Sequence, residues 1–275
     1  MSSTTTRPCA LTVAGSDSGG GAGVQADLKT FHAHRVHGTC VLTAVTAQNT
    51  RAVTAAMPLP ARLIEAQIDA VRDDFSIAAW KSGMLADART IKAVARKLSD
   101  LADAAYVLDP VMIATSGAVL LERAAITALR DYLLPLSQLV TPNLPEAAAL
   151  GGYAIRRAGD FDRIAADLLA DGAGAVLIKG GHQRGAEVVD RLYCNGKYRE
   201  FVHLRLKRNG HGTGCTLAAA ITANLARGLD VASACAAATD YVHAALHSAY
   251  RPGRSTIDVL DHSVSASPRR RSATS

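Results

Sequence analysis

Short apolar runs alternate with amphipathic ones along most of this chain, and that alternation limits the possible folds more than any other feature. β-type runs at 10–14, 40–46, 78–81, 105–109, 139–141 and 175–179 are interleaved with helical patterns at 24–35, 61–74, 88–98, 122–134, 146–150 and 162–169. A short strand that is apolar at successive positions has no solvated face, so it belongs in a parallel sheet covered by helices on both sides. Residues 187–194 and 197–204 differ. They alternate, and Asn195-Gly196 joins them, which predicts an antiparallel hairpin at the sheet edge. Two long helices, 216–227 and 231–250, close the pattern. The expectation is a three-layer α/β/α fold with a mostly parallel central sheet, one domain over 8–262, and disordered tails at 1–7 and 263–275. In such sheets ligands collect beyond the carboxyl ends of the strands.

With 275 residues, 49% hydrophobic and 20% charged, the chain has ample apolar material for one large core. Residues 1–7 lack the apolar stretch of a secretory signal and no apolar run approaches the ~18 residues of a membrane span, so a cytoplasmic protein without membrane contact is expected. Five cysteines, an odd number with no C-x-x-C pair, speak against a disulfide framework or a zinc knuckle. The net charge of +6 owes half its value to Arg269, Arg270 and Arg271 in the tail. Three arginines neutralise only a few phosphates. With aromatics at 4% and no recognition motif, no nucleic-acid partner is expected.

The segment Asn209-Gly210-His211-Gly212-Thr213-Gly214-Cys215-Thr216, followed by the apolar run 217–221, reads as an anion hole. Its glycines permit close backbone approach, and a helix start supplies N–H groups and the positive end of a helix dipole. The alternative is a glycine-rich loop before a helix capped by Thr213 or Thr216. A second glycine run, 15–23, contains Gly21-Ala22-Gly23-Val24-Gln25-Ala26, a G-x-G-x-x-A match. No acidic residue occurs between Arg35 and Leu63 to hold a nicotinamide ribose. A P-loop is also excluded, because Leu28 stands where the glycine should precede Lys29.

Other candidate side chains occupy strand ends. Gln48 presents a donor and an acceptor side by side, the pair an aminopyrimidine edge requires, although a lone glutamine is equally a loop amide bonded to backbone. Asn143 and Glu146 have N-x-x-E spacing between prolines. That spacing suits a helix cap, and it also suits magnesium held partly through water beside nucleotide phosphates. Asp109 either joins that water shell or serves structure in its Asp-Pro pair. Lys179 precedes two glycines, where a cation meets ATP phosphate without crowding, and is otherwise a solvated lysine. Cys215 at a helix start has a thiol that the dipole can activate as a base, or it is an inert buried thiol. In either case the amides of Gly212, Thr213, Gly214 and Cys215 would stabilise a transferring phosphoryl group. His182 and His211 receive no role.

Together, residues 19–27 with Lys29, Ala47-Gln48-Asn49-Thr50, Leu108-Asp109-Pro110-Val111-Met112, Thr141-Pro142-Asn143-Leu144-Pro145-Glu146, Lys179-Gly180-Gly181-His182 and the His-Gly-Thr-Gly-Cys loop resemble the ribokinase superfamily. Within it they resemble the hydroxymethylpyrimidine/phosphomethylpyrimidine kinases of thiamine biosynthesis, over roughly residues 11–250. The resemblance implies a ribokinase-like fold, and ATP with Mg2+ as cofactors. It also implies that one site phosphorylates 4-amino-5-hydroxymethyl-2-methylpyrimidine and then its monophosphate. It assigns the acceptor to Gly15 backbone, Asp27, Gln48, Val111 and Met84, the metal and nucleotide to Asn143, Glu146, Lys179 and Asp109, and a catalytic place to Cys215, where many sugar kinases of the superfamily have aspartate. A homodimer is implied as well. The rivals are a pyridoxine or pyridoxal kinase of the same superfamily and a non-catalytic pyrimidine-binding regulator. Two departures stand out: Gly210 replaces an expected threonine, which predicts a looser loop, and the chain beyond Tyr250 matches little.

Overall fold

The computed structural model describes residues 7–101, 103–113, 117, 120–122 and 124–266. Residues 1–6 and 267–275, most of the two expected tails and all three of the clustered arginines, lie outside the described residues. The chain runs β1 (Cys9–Ala14), α1 (Gly23–Ala33), β2 (His37–Leu42), β3 (Ala44–Gln48), β4 (Val53–Pro58), α2 (Ala61–Asp74), β5 (Ile77–Ser82), α3 (Ala88–Leu98), β6 (Ala105–Leu108), α4 (Ala125–Ala128), β7 (Leu139–Val140), α5 (Leu144–Gly151), α6 (Ala158–Ala170) and β8 (Ala175–Ile178). It ends with β9 (Glu187–Cys194), β10 (Lys197–Leu204), β11 (Gly210–His211), α7 (Thr213–Ala226), α8 (Val231–His247) and β12 (Asp258–Val259).

One sheet of eight strands has the order β10-β9-β8-β7-β6-β5-β1-β2. From β2 to β8 all neighbours are parallel, and β8-β9-β10 is antiparallel, as the apolar runs and the Asn195-Gly196 turn predict. Both turn residues are left-handed, φ 52° and 68°, the geometry that matches the twist of the flanking strands.

Each central strand is buried on both faces. Trp80, Tyr106, Leu108, Val140, Val176 and Ile178 pack in the layer holding α2 to α6, and Ala79, Val107, Leu139, Ala175 and Leu177 pack against α7 and α8. Trp80 and Tyr106 stack with ring centroids 3.5 Å apart. Helix α7 is buried all round from Thr216 to Leu225, which its run of alanines allows, and α1 packs on it through Phe31, Ala219 and Ala223.

Four segments depart from expectation. The run 40–46 breaks at Thr43, whose hydroxyl donates to the Met84 carbonyl at 2.6 Å. The chain then leaves the main sheet as β3, which pairs antiparallel with β4 in an exposed hairpin that the unpatterned sequence 53–58 does not announce. The helix expected over 122–134 is instead α4, a π turn (Leu129–Leu133) and a 3₁₀ turn (Leu134–Leu136), the last containing Pro135, which has no N–H for the ladder. Residues 263–266 continue on the surface of the fold, and Val264 and Ala266 pack against the α7–α8 side of the core.

Beneath the sheet's carboxyl edge lies a buried ion pair. Lys81 of β5 donates to Asp27 of α1 at 2.9 Å, and Thr12 of β1 donates to the same oxygen at 2.6 Å, with both charged side chains 0% exposed. Burial pushes the Asp27 carboxyl up, with Lys81 the chief opposing influence. Burial also works against the Lys81 charge, yet Asp27 holds that ammonium above its ordinary range. Removing one partner leaves a buried, uncompensated charge. Lys81→Met should therefore lower the unfolding free energy by about 3–5 kcal/mol in urea titrations, and the double variant with Asp27→Leu should lose clearly less than the two single losses combined.

Candidate active site

The carboxyl ends of β1, β3, β5, β6, β7 and β8 carry the loop 15–23, Gln48, Met84, Asp109, Asn143 and Lys179, with the N-terminus of α7 set against them. Two glycine loops meet at the centre. Asp17, buried, accepts the N–H groups of Gly19, Gly21 and Ala22 at 2.8, 3.0 and 2.8 Å, so one carboxylate shapes the first loop. The same carboxylate takes His211 Nε2 at 2.9 Å, tying that loop to the second. Burial would raise the Asp17 pKa, but His211 and the backbone amides more than offset this and hold it below the usual carboxylate range.

Only glycine permits this approach. A Cβ on Gly212 would lie 1.9 Å from the Gly21 carbonyl oxygen, and Gly212 has φ 81°. A Cβ on Gly21 would meet the His211 ring at 2.6 Å. Gly210 pairs with Asp258 in the short β11–β12 ladder, and Leu246 would stand 2.5 Å from a Cβ there. The missing side chain makes room for Leu246, and β12 pairs with the backbone there.

Helix α7 begins at Thr213, three residues earlier than expected, with Gly212 as its cap. Its first ladder bond is Thr216 N to Gly212 O at 2.9 Å, so the N–H groups of Thr213, Gly214 and Cys215 precede the ladder and present positive ends to the opening. Lys179 Nζ lies 3.3 Å from where a Gly214 Cβ would be, bringing an ammonium to the same opening. It donates to Asp109 at 2.9 Å and lies 3.7 Å from Glu146. Burial disfavours its charge, but Asp109 and Glu146 prevail and raise its pKa.

Asn143 and Glu146 do form a helix cap: the Asn143 side chain accepts Glu146 N at 2.9 Å and Glu146 accepts Asn143 N at 2.8 Å. The capping box also carries a second function, because it pins the Glu146 carboxylate beside Lys179. Burial raises the pKa of that carboxyl, against the pull of Lys179. Asp109 Oδ2 is buried without a hydrogen-bond partner among the described residues, although Oδ1 has Lys179. On the acceptor side, Met84 Sδ lies 2.8 Å from where a Gly15 Cβ would be, and Val111, half-buried, follows Asp109, to whose carbonyl it donates at 2.8 Å. Gln48 lies beside His211 at 3.3 Å.

Two expected roles change. Asp27 is wholly buried in its pair with Lys81 and offers no surface to an acceptor. The carboxylate at the loop is Asp17, whose place within Ser16-Asp17-Ser18-Gly19 suits a short acceptor folding back on the following amides. Cys215 is not activated by its helix end. Burial, reinforced by Asp27 and Asp109, pushes its thiol up to about 12.

The sequence profile of the phosphomethylpyrimidine kinase family matches residues 17–259. The chain belongs to that family. The hydroxymethylpyrimidine/phosphomethylpyrimidine kinase of Rhizobium meliloti strain 1021 is 50% identical over 246 residues, covering 88% of this chain and 91% of that one. Among solved structures, Bacillus subtilis pyridoxal kinase in complex with ADP superposes with a TM-score of 0.86 at 34% identity, covering 94% of this chain and 98% of that one. The phosphomethylpyrimidine kinase of Clostridium difficile 630 superposes with a TM-score of 0.77 at 40% identity, over 86% and 98%. Kinase activity and the ribokinase-like fold follow, and the family match extends past Tyr250 to include β12.

Sequence reasoning left His211 unassigned and overlooked Asp17 and Lys81. Only Asp17 carried a local signal, a short acid heading a glycine run. Gly212→Ala should lower kcat by about a hundredfold or more in an ADP-release assay, because it displaces a whole group of oxyanion donors. A thiol with a raised pKa stays protonated until the pH approaches that value. Iodoacetamide at pH 8 should therefore label Cys215 more than about tenfold slower than a free cysteine, whose pKa is ~8.5, as read by peptide mass spectrometry.

Proposed function

We infer that the chain transfers the γ-phosphoryl group of ATP to the hydroxymethyl oxygen of 4-amino-5-hydroxymethyl-2-methylpyrimidine, and then a second phosphoryl group to the resulting monophosphate, in thiamine biosynthesis. One observation carries this reading above the rest. The α7 amides and the Lys179 ammonium converge on one opening, and a pyrimidine-reading amide, Gln48 at the end of β3, lies against His211 of the adjoining glycine loop.

Phosphoryl transfer passes through a loose transition state, so positioning and charge neutralisation do most of the work. The amides of Thr213, Gly214 and Cys215 would receive the transferring group, and Lys179 would neutralise oxygens on its far side. Asp109 and Glu146 fit magnesium: Asp109 Oδ2 is a buried hard oxygen with no hydrogen-bond partner among the described residues, and Lys179 leaves both carboxylates partly neutralised. No cluster of three or more metal-binding side chains occurs among the described residues, so these two would hold the ion largely through water and nucleotide phosphates, where it would supply electrostatic stabilisation. Asn143 positions Glu146 through the capping box. Gly15 and Met84 would flank the pyrimidine ring, Val111 its other side, and Gln48 its amino edge.

The protonated Cys215 thiol is consistent with both steps. The second acceptor, a phosphate oxygen, is already ionised at neutral pH and needs no base. A site that serves both steps gains little from a permanent thiolate, whose negative charge would repel that acceptor.

Purified protein with Mg-ATP should release ADP on the aminopyrimidine alcohol and carry it to the diphosphate, resolved by chromatography, with less turnover on pyridoxal and none above background without acceptor. Preference for pyridoxal would move the activity to that neighbouring class. Gln48→Ala should raise KM for the pyrimidine about tenfold, within the ~1–3 kcal/mol that such an amide contributes, while leaving turnover of pyridoxal nearly unchanged. Equal loss on both acceptors would remove the reading role from Gln48.

A further inference from the structure

Gln48 offers a donor and an acceptor, and which of the two faces which neighbour is a matter of rotating its amide by half a turn. Two contacts bear on the choice. One end of the amide lies 3.3 Å from His211 Nε2, and the other lies 3.4 Å from Thr46 Oγ1; with Nε2 toward His211, the amide would need a lone pair there and a proton on Thr46. Both protons needed for that arrangement are committed elsewhere. Asp17 is ionised and accepts only, so the proton between it and His211 at 2.9 Å must sit on His211 Nε2, which then has no lone pair for a second donor. Thr46 Oγ1 spends its single proton on the Ser16 carbonyl at 2.8 Å, so it can only accept from Gln48. In that sense the amide would set donor against donor and acceptor against acceptor. Rotated, Oε1 shares the His211 proton and the NH2 group donates to Thr46.

We propose that the Asp17–His211 pair fixes the Gln48 amide with its oxygen on the His211 side and its nitrogen on the Thr46 side, and so makes the site select a ring amine over a ring oxygen at that position. This rests on the aminopyrimidine reading of the site. An aminopyrimidine edge offers an N–H donor beside a ring-nitrogen acceptor. The 4-oxo counterpart offers an oxygen acceptor beside a ring N–H, the same pattern reversed. An amide free to rotate would serve either edge. One pinned by a buried pair, with Asp17 1% and His211 6% exposed, serves only the first. Asp17 and His211 act here as positioning residues, because they work through Gln48.

The test has two arms. In the ¹⁵N-labelled protein, long-range ring correlations should place the His211 proton on Nε2, and the Gln48 NH2 protons should show cross-relaxation to the Thr46 methyl and not to the His211 ring. Protonation at Nδ1 alone, or Gln48 NH2 contacts to His211, would overturn the proposal. In kinetics, the wild type should prefer the amino acceptor over its 4-oxo counterpart in kcat/KM. His211→Leu should shrink that ratio about tenfold, and His211→Gln, which keeps an N–H at the place of Nε2, should restore most of it. Any general damage to the phosphate loop scales both acceptors alike and cancels in the ratio, so an unchanged ratio in His211→Leu would refute the selecting role. If the wild type turns over neither pyrimidine, the proposed function fails, and the spectra still decide the amide's sense.

Discussion

The site depends on a close approach of two backbones. Gly212 lies against the Gly21 carbonyl, closer than any side-chain-bearing residue could come, and the Asp17 carboxylate fastens both sides by taking three amides from one loop and the imidazole of the other. This contact joins the first strand–helix crossover of the chain to the helix formed some two hundred positions later. It fixes where α7 begins, and therefore where its unpaired amides point. Helix propensity does not set that start. Gly212 is left-handed with no side-chain cap, so tertiary packing positions the first turn.

Around this junction the protein keeps charge buried in compensated sets. Lys81 with Asp27, and Lys179 with Asp109 and Glu146, place two ammonium groups and three carboxylates under the carboxyl edge of the sheet. Such sets contribute little net stability, but they fix positions, since moving any member leaves its partner uncompensated. Cys215 lies within their field: burial first, then Asp27 and Asp109, raises its pKa, and Lys81 offsets this only in part. Local geometry alone therefore misjudges this thiol: the helix dipole acts over the first turn, while burial, Asp27 of α1 and Asp109 beyond β6 act on the thiol through the tertiary fold.

The fold was legible because its signals are local. Apolar runs, helix patterns and Asn195-Gly196 each report on their own few residues, and a parallel sheet follows from their order. The β3–β4 hairpin was not legible: Thr43 ends β2 by bonding to the distant Met84 carbonyl, and nothing in the neighbourhood of Thr43 reveals that acceptor. In the site, the positions of Lys179, Asn143 and Glu146 just after strands were foreseen from the apolar runs before them, whereas Gln48 ends β3, outside the main sheet. The depth of Asp27 and the coupling of Asp17 to His211 were not foreseen, because both depend on which strands become neighbours.

The short β11–β12 ladder has a temporal consequence. Gly210 and His211 are paired with Asp258 and Val259, and Asp258, itself buried, is held by Arg251 at 2.9 Å. The strand that braces the phosphate loop is thus synthesised after the loop itself and after both α7 and α8. A nascent polypeptide can bury its sheet and close both helical layers while the loop bearing His211 still lacks that brace. Completion of the reactive centre is in this way coupled to synthesis of β12, and a message truncated shortly before Asp258 would yield a protein whose phosphate loop lacks that brace.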